Sequence, residues 1–187
     1  MNIYLFLDTE TGGLDPRRHS LLSLGLVVGD SDGIAESLEI LLRHETYGVT
    51  GGGMKVNRID LAGHHAKALE PAAALKELDG FLTRHFSPDA AVILVGHNIA
   101  FDRAFLGVFL ETQNRGLEPR FSHRSIDTHS IAAALQDAGR IPAEVALNST
   151  GLFAHFGIHV PEAQRHTALG DAVATFQLYW KLVEVAK

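Results

Sequence analysis

The sequence predicts an α/β fold built on a mixed sheet. Three observations carry this: an apolar first segment that ends in acidic residues, two further apolar runs joined by a short turn, and a second half in which strand and helix signals alternate. A chain of 187 residues with 46% hydrophobic composition suits one domain, expected to span residues 1–187. That much apolar surface can offset chain entropy, which excludes a disordered or collagen-like chain.

Asn2 to Asp8 is rich in Ile, Tyr, Leu and Phe and runs on into a Thr-Gly-Gly turn, the pattern of a strand buried on both faces at the centre of a sheet. Leu21 to Val28 and Ser37 to Leu42 follow as strands. The segment Gly29-Asp30-Ser31-Asp32-Gly33 between them leaves no room for a helix, so the three strands form an antiparallel meander. The glycine-rich stretch Gly48 to Gly53 lacks the Lys-Ser/Thr of a phosphate-cradling loop and reads as a flexible surface loop. Helix is expected over about Pro71 to His85, strand over Ala91 to Val95, helix over about Asp102 to Arg115, strand near Ile126, and helices thereafter. The last helix, from about Ala168 to Val185, places Leu169, Val173, Phe176 and Trp180 on one face as core.

Sixteen basic against 22 acidic residues give a net charge of −6, which argues against a protein that grips long duplexes by counterion release. It leaves room for an enzyme whose bound cations attract phosphates. With no cysteine, any metal must be held by oxygen or imidazole. No apolar run approaches the roughly 18–20 residues that cross a bilayer, and no charged lead precedes a signal segment, so a soluble, cytoplasmic protein is expected.

The chemistry gathers at strand ends. Asp8 and Glu10 stand two apart, so in an extended strand both side chains leave one face and can converge on a cation. The strand ending in Gly96-His97-Asn98 turns into a helix near Asp102, which brings a third carboxylate to the same edge. In His166-Thr167-Ala168-Leu169-Gly170-Asp171 the spacing would send His166 and Asp171 to different faces of an unbroken helix, so His166 belongs to the loop that enters it. Asp171 continues the stripe Ala168, Thr175, Leu178 and Leu182, where a carboxylate is costly unless it meets a cation. Four such charges at one rim repel strongly, and two divalent ions would compensate them. Two ions held by oxygen suit phosphodiester hydrolysis, with His166 as the proton acceptor. Asp127 also ends a strand, but a turn or cap role accounts for it, and Asn148 most simply caps the following helix.

The ordered set Asp8-Thr9-Glu10-Thr11, His97-Asn98-x-x-Phe101-Asp102 and His166-x-x-x-x-Asp171 resembles the three motifs of the DEDDh, DnaQ-like 3′–5′ exonucleases, especially their polymerase-proofreading and ribonuclease T-like members. Met54 to Asp60 and Ser125 to Thr128 are similar to further family segments. The resemblance implies a ribonuclease H-like fold with a five-stranded mixed sheet. It implies two divalent cations, Mg²⁺ or Mn²⁺, with Asp8, Glu10 and Asp171 on one, Asp8 and Asp102 on the other, and His166 as general base. It also implies action on single-stranded 3′ ends, DNA favoured, to release nucleoside 5′-monophosphates. An RNA-trimming enzyme and a non-catalytic, polymerase-associated binding module are the alternatives. A polymerase or repair partner and a homodimer are open, and no membrane is expected. Thr11, Gly12 and Leu14 should meet the last nucleotide through backbone N–H groups and the leucine side chain, and His97, Asn98 and Phe101 should line the same site. Gly12 departs from the Thr common at that position in polymerase-associated members. Phe101 and Phe105 at i, i+4 spacing serve either as stacking platforms or as core, and Arg17-Arg18-His19 either binds a phosphate or is solvated.

Overall fold

In the computed structural model, which describes residues 4–161, 164 and 166–187, five strands form one sheet in the order β3-β2-β1-β4-β5. The strands are β1 (Tyr4–Thr11), β2 (Leu21–Asp30), β3 (Gly33–Leu41), β4 (Val92–Gly96) and β5 (Phe121–Asp127). The first three pair antiparallel, whereas β4 pairs parallel with both β1 and β5. The meander and the α/β half therefore meet at β1, which is central as its apolar sequence requires. The helices are α1 (Gly51–Asn57), α2 (Leu61–Lys67), α3 (Pro71–His85), α4 (Ala100–Thr112), α5 (Thr128–Asp137), α6 (Ser149–His155) and α7 (Ala168–Ala186).

Alternation along β1 sorts its side chains between two layers. Leu5 and Leu7 join Phe81 of α3 and Phe105 and Phe109 of α4 in one core, while Phe6 faces Ala172, Phe176 and Tyr179 of α7 in another. A third cluster joins α5, α6 and α7 through Ala132, Leu152, Phe153, Ala174 and Leu178. Five helices start where a side chain satisfies an orphan amide: Thr50 accepts from Gly53 N, Asp60 from Ala62 N and Gly63 N, Asp127 from His129 N, Asn148 from Gly151 N and Thr167 from Gly170 N. Pro71 opens α3 where its missing N–H costs nothing.

The outline matches the expected elements, with α3 falling on Pro71–His85. Some differences lie at edges, and α1 and α2 fall where no helix was expected. β3 begins at Gly33, so the turn is two residues rather than five, and α4 begins at Ala100, which puts Asp102 in its first turn. The glycine-rich stretch is a helix from Gly51 rather than a flexible loop. Thr50 caps it, accepting from Gly53 N while donating through its hydroxyl and its N–H to the carbonyl of Gly12, and these tertiary bonds override glycine's low helix propensity. Among the described residues no helix is long and apolar enough to cross a membrane.

Candidate active site

β1 delivers Asp8 and Glu10 to the face that α7 covers, and α7 brings Asp171 down from above. One carboxylate oxygen from each of the three lies within 4.8 Å of the others. Such closeness has an electrostatic signature. Burial, then the charges of Asp102, Asp171 and Glu10, push the Asp8 carboxyl well above the usual range. Burial and then Asp171, Glu39 and Asp102 push Glu10 up to about 8. Carboxyl groups so perturbed, converging in one place, form an all-oxygen donor set of the kind that hard divalent cations take.

Asp102 comes from the opposite layer. It is 4% exposed, and Thr9, the β1 residue between Asp8 and Glu10, donates its hydroxyl to Asp102 Oδ1 at 2.8 Å. Burial raises Asp102 to about 7 against the lowering effect of that hydrogen bond. Asp102 stands outside the group of three, yet its charge raises both Asp8 and Glu10. The three-residue spacing Asp8-Thr9-Glu10 thus serves both sheet faces, with the acids toward α7 and the hydroxyl toward α4.

The N-terminus of α7 can approach because Gly25 leaves space. Gly25 pairs directly with Asp8, and a Cβ there would strike the carbonyl of Ala168. His166 sits two residues before the helix, half-buried, with a left-handed φ of 61°. It therefore lies in the loop entering α7, as the spacing predicts.

The turn that follows Asp8-Thr9-Glu10, from Thr11 to Leu14, is the motif-I turn, and it is tightly held. Gly12 N donates to Ser20 O at 2.8 Å, so that amide is engaged within the protein and is not free for a sugar hydroxyl. Thr11 donates its hydroxyl to Gly13 O at 2.8 Å, and Asn57 Nδ2 donates to Thr11 O at 3.0 Å. A Cβ at Gly12 would collide with the Gly48 carbonyl, which gives a physical reason for glycine rather than threonine here. Leu14 projects from this turn, 84% exposed.

In the β4–α4 turn, His97 is turned inward. Its Nδ1 lies 3.0 Å from Thr128 Oγ1 and its ring meets His129 edge-on, so one ring nitrogen of this half-buried side chain is engaged within the protein. Asn98 is exposed, with φ of 60°, and its N–H donates to Asp127 Oδ1 at 3.0 Å. Asp127 caps α5 and clips this turn, a structural use like the one its position suggested. Phe105 is core, and Phe101 packs half-buried beside it with ring centroids 4.9 Å apart. Arg17 is paired with Glu111 at 3.2 Å. Asn57, buried against the motif-I turn, and Glu39, on β3 beside Gly25, escaped the sequence reading. Their signals were a polar residue in a short amphipathic segment and a carboxylate on the inward face of a strand.

Comparison with known proteins places this arrangement. The family model RNase_T, described as Exonuclease, matches residues 5–179. The chain belongs to that exonuclease family. It is similar to ribonuclease T of Wigglesworthia glossinidia brevipalpis, 24% identical over 185 residues that cover 95% of this chain and 82% of the relative. Its fold resembles the zinc-bound E. coli exonuclease I complex with single-stranded DNA, at TM-score 0.81 and 18% identity, covering 100% of this chain and 41% of that one. It also resembles the nuclease domain of 3′hExo, a DEDDh family member bound to rAMP, at TM-score 0.77 and 13% identity, with 97% and 92% covered. The chain spans about two fifths of exonuclease I. As a DnaQ-like DEDDh exonuclease with a ribonuclease H-like sheet, it carries its acidic cluster at the carboxyl end of β1.

Proposed function

We propose that this DEDDh exonuclease removes nucleotides one at a time from single-stranded 3′ ends, DNA favoured, and releases nucleoside 5′-monophosphates. The observation that carries the reading is the convergence of Asp8, Glu10 and Asp171 within 4.8 Å, with Asp102 close enough to perturb two of them. The donor set fits Mg²⁺ or Mn²⁺: Asp8, Glu10 and Asp171 would hold one ion, and Asp8 with Asp102 a second. When bound, such a pair supplies charge stabilisation at the scissile phosphate and lowers the pKa of the attacking water.

The chain's own groups do the rest. His166, in the loop at the head of α7, takes the attacking water's proton, a task suited to an imidazole near neutral pH. Thr9 fixes the Asp102 carboxylate through its hydroxyl. Leu14, projecting into solvent from the motif-I turn, packs against the terminal base, and exposed Asn98 contacts the nucleotide from the other side. Thr11 and Gly12 act by holding the turn, and His97 by anchoring the β4–α4 turn to Thr128. Phe101, half-buried beside Asp102 at the start of α4, borders the nucleotide.

The DNA preference is supported by the likeness to exonuclease I structures that hold single-stranded DNA, while ribonuclease T among the relatives keeps RNA as the rival substrate. Digestion of matched 5′-labelled DNA and RNA oligomers in Mn²⁺ tests both. The expected result is stepwise shortening from the 3′ end, faster on DNA. Faster shortening of RNA would reverse the substrate assignment, and no shortening of either would remove the function.

A further inference from the structure

Asp8 of β1, Gly25 of β2 and Glu39 of β3 stand in register across three strands, so all three address the face covered by α7. The middle position carries no side chain, and the carbonyl of Ala168 occupies the space a Cβ would take. The first turn of α7 therefore lies in a slot with Asp8 on one wall and Glu39 on the other. Glu39 Oε1 accepts from Leu169 N at 3.4 Å. Leu169 is the second residue of α7, so its N–H is one of the four amides that a helix leaves without an internal partner. Thr167 satisfies Gly170 N from within the helix cap, and Glu39 reaches in from a different strand. A carboxylate here also meets the positive end of the helix dipole.

The placement is unusual for the strand. Leu38 and Ile40 face the α3/α4 core, which leaves Glu39 on the α7 face, partly buried, near enough to Glu10 for its charge to raise that group. A carboxylate that adds repulsion to an already crowded acidic cluster needs a compensating role, and the bond to Leu169 N is the one its geometry offers.

We propose that Glu39 is a positioning residue that seats the first turn of α7 and so holds Asp171 in reach of Asp8 and Glu10. This rests on the reading of the acidic cluster as the catalytic site. Asp171 lies two residues beyond Leu169 in that turn, so a loosened N-terminus moves its carboxylate directly. Groups that orient metal ligands without touching the ion typically change affinity or activity by about 10- to 100-fold when removed.

The test uses the full chain with Glu39→Ala, Glu39→Asp and Glu39→Gln, read by Mn²⁺ titration without nucleic acid and by kcat and KM on a labelled DNA oligomer. Glu39→Asp keeps the charge but is too short for Leu169 N, and Glu39→Gln keeps the acceptor without the charge. The expected result is Mn²⁺ affinity and kcat lowered about 10- to 100-fold in the Ala and Asp variants, KM little changed, and near-normal behaviour restored by Gln. Should Glu39→Ala fail to fold, the Asp and Gln variants carry the comparison. Wild-type Mn²⁺ binding in the Asp variant, or equal impairment in Gln and Asp, overturns the assignment. Asp8→Asn separates the two levels: if it loses Mn²⁺ while the Glu39 variants do not, Glu39 alone is reassigned, and if it too binds as wild type, the reading of the cluster itself falls.

Discussion

The carbonyl of Ala168 sits where a side chain on Gly25 would have to go. Gly25 is paired with Asp8, so this one absent Cβ decides how closely the head of α7 approaches the acidic end of β1. Gly25→Ala is expected to lift that end of the helix, lowering stability by about 1–3 kcal/mol as overpacking does and weakening Mn²⁺ binding. Thermal melting and Mn²⁺ titration of the variant check it. Unchanged values in both would show that the approach is not limited there.

The metal-free protein should lose stability as pH rises. Glu10 titrates near 8 instead of its ordinary 4.5, Asp102 near 7 instead of 3.8, and Asp8 is raised too. In each case the folded state keeps a proton that the unfolded chain has released, so the stabilisation is full below the ordinary value and is lost as pH climbs through the raised one. Melting temperature in EDTA is therefore expected to fall between about pH 5 and pH 8, and Mn²⁺ should flatten the curve. For the same reason Asp8→Asn should melt higher than wild type in EDTA at pH 8, although it binds no metal.

Thr9→Val isolates the bond to Asp102. The hydroxyl lowers the Asp102 pKa against the larger effect of burial, so its loss raises that pKa further and moves the acid limb of the pH–rate profile to higher pH. A stability loss of about 1–3 kcal/mol accompanies the stranded acceptor. A profile superimposable on wild type would deny Asp102 a part in the active ionisation state.

His166→Ala should leave Mn²⁺ affinity intact and slow the reaction by about 10²–10⁴-fold, the usual contribution of a positioned base. Asp8→Ala should lose both. Stopped-assay rates alongside Mn²⁺ titration of the two variants distinguish the roles, and equal loss of metal in both would contradict them.

Most of the candidate site is legible because its parts follow local rules. Asp8 and Glu10 are two apart on a strand, Asp102 and Asp171 fall in first helical turns, and His166 precedes a helix start, so spacing alone brings them to strand and helix ends. What escapes is set by tertiary approach. That Gly25 admits Ala168, that Gly48 fills the place of a Gly12 side chain, and that Thr50 starts a helix in a glycine run all depend on contacts between segments far apart in sequence. Orientation escapes too: His97 sits in the expected motif, yet its ring is committed to Thr128. Buried Asn57 and partly buried Glu39 are marked only weakly, by a polar residue in a short amphipathic segment and by a carboxylate on the inward face of a strand.

Catalysis at the end of β1 requires Asp8, Glu10 and Asp171 to share one cation. Anomalous diffraction from crystals grown in Mn²⁺, measured near the manganese edge, places the ion directly. The expected peak is coordinated jointly by Asp8, Glu10 and Asp171 and is absent from Asp8→Asn crystals. A peak elsewhere, or none beside those three oxygens, would contradict that shared site.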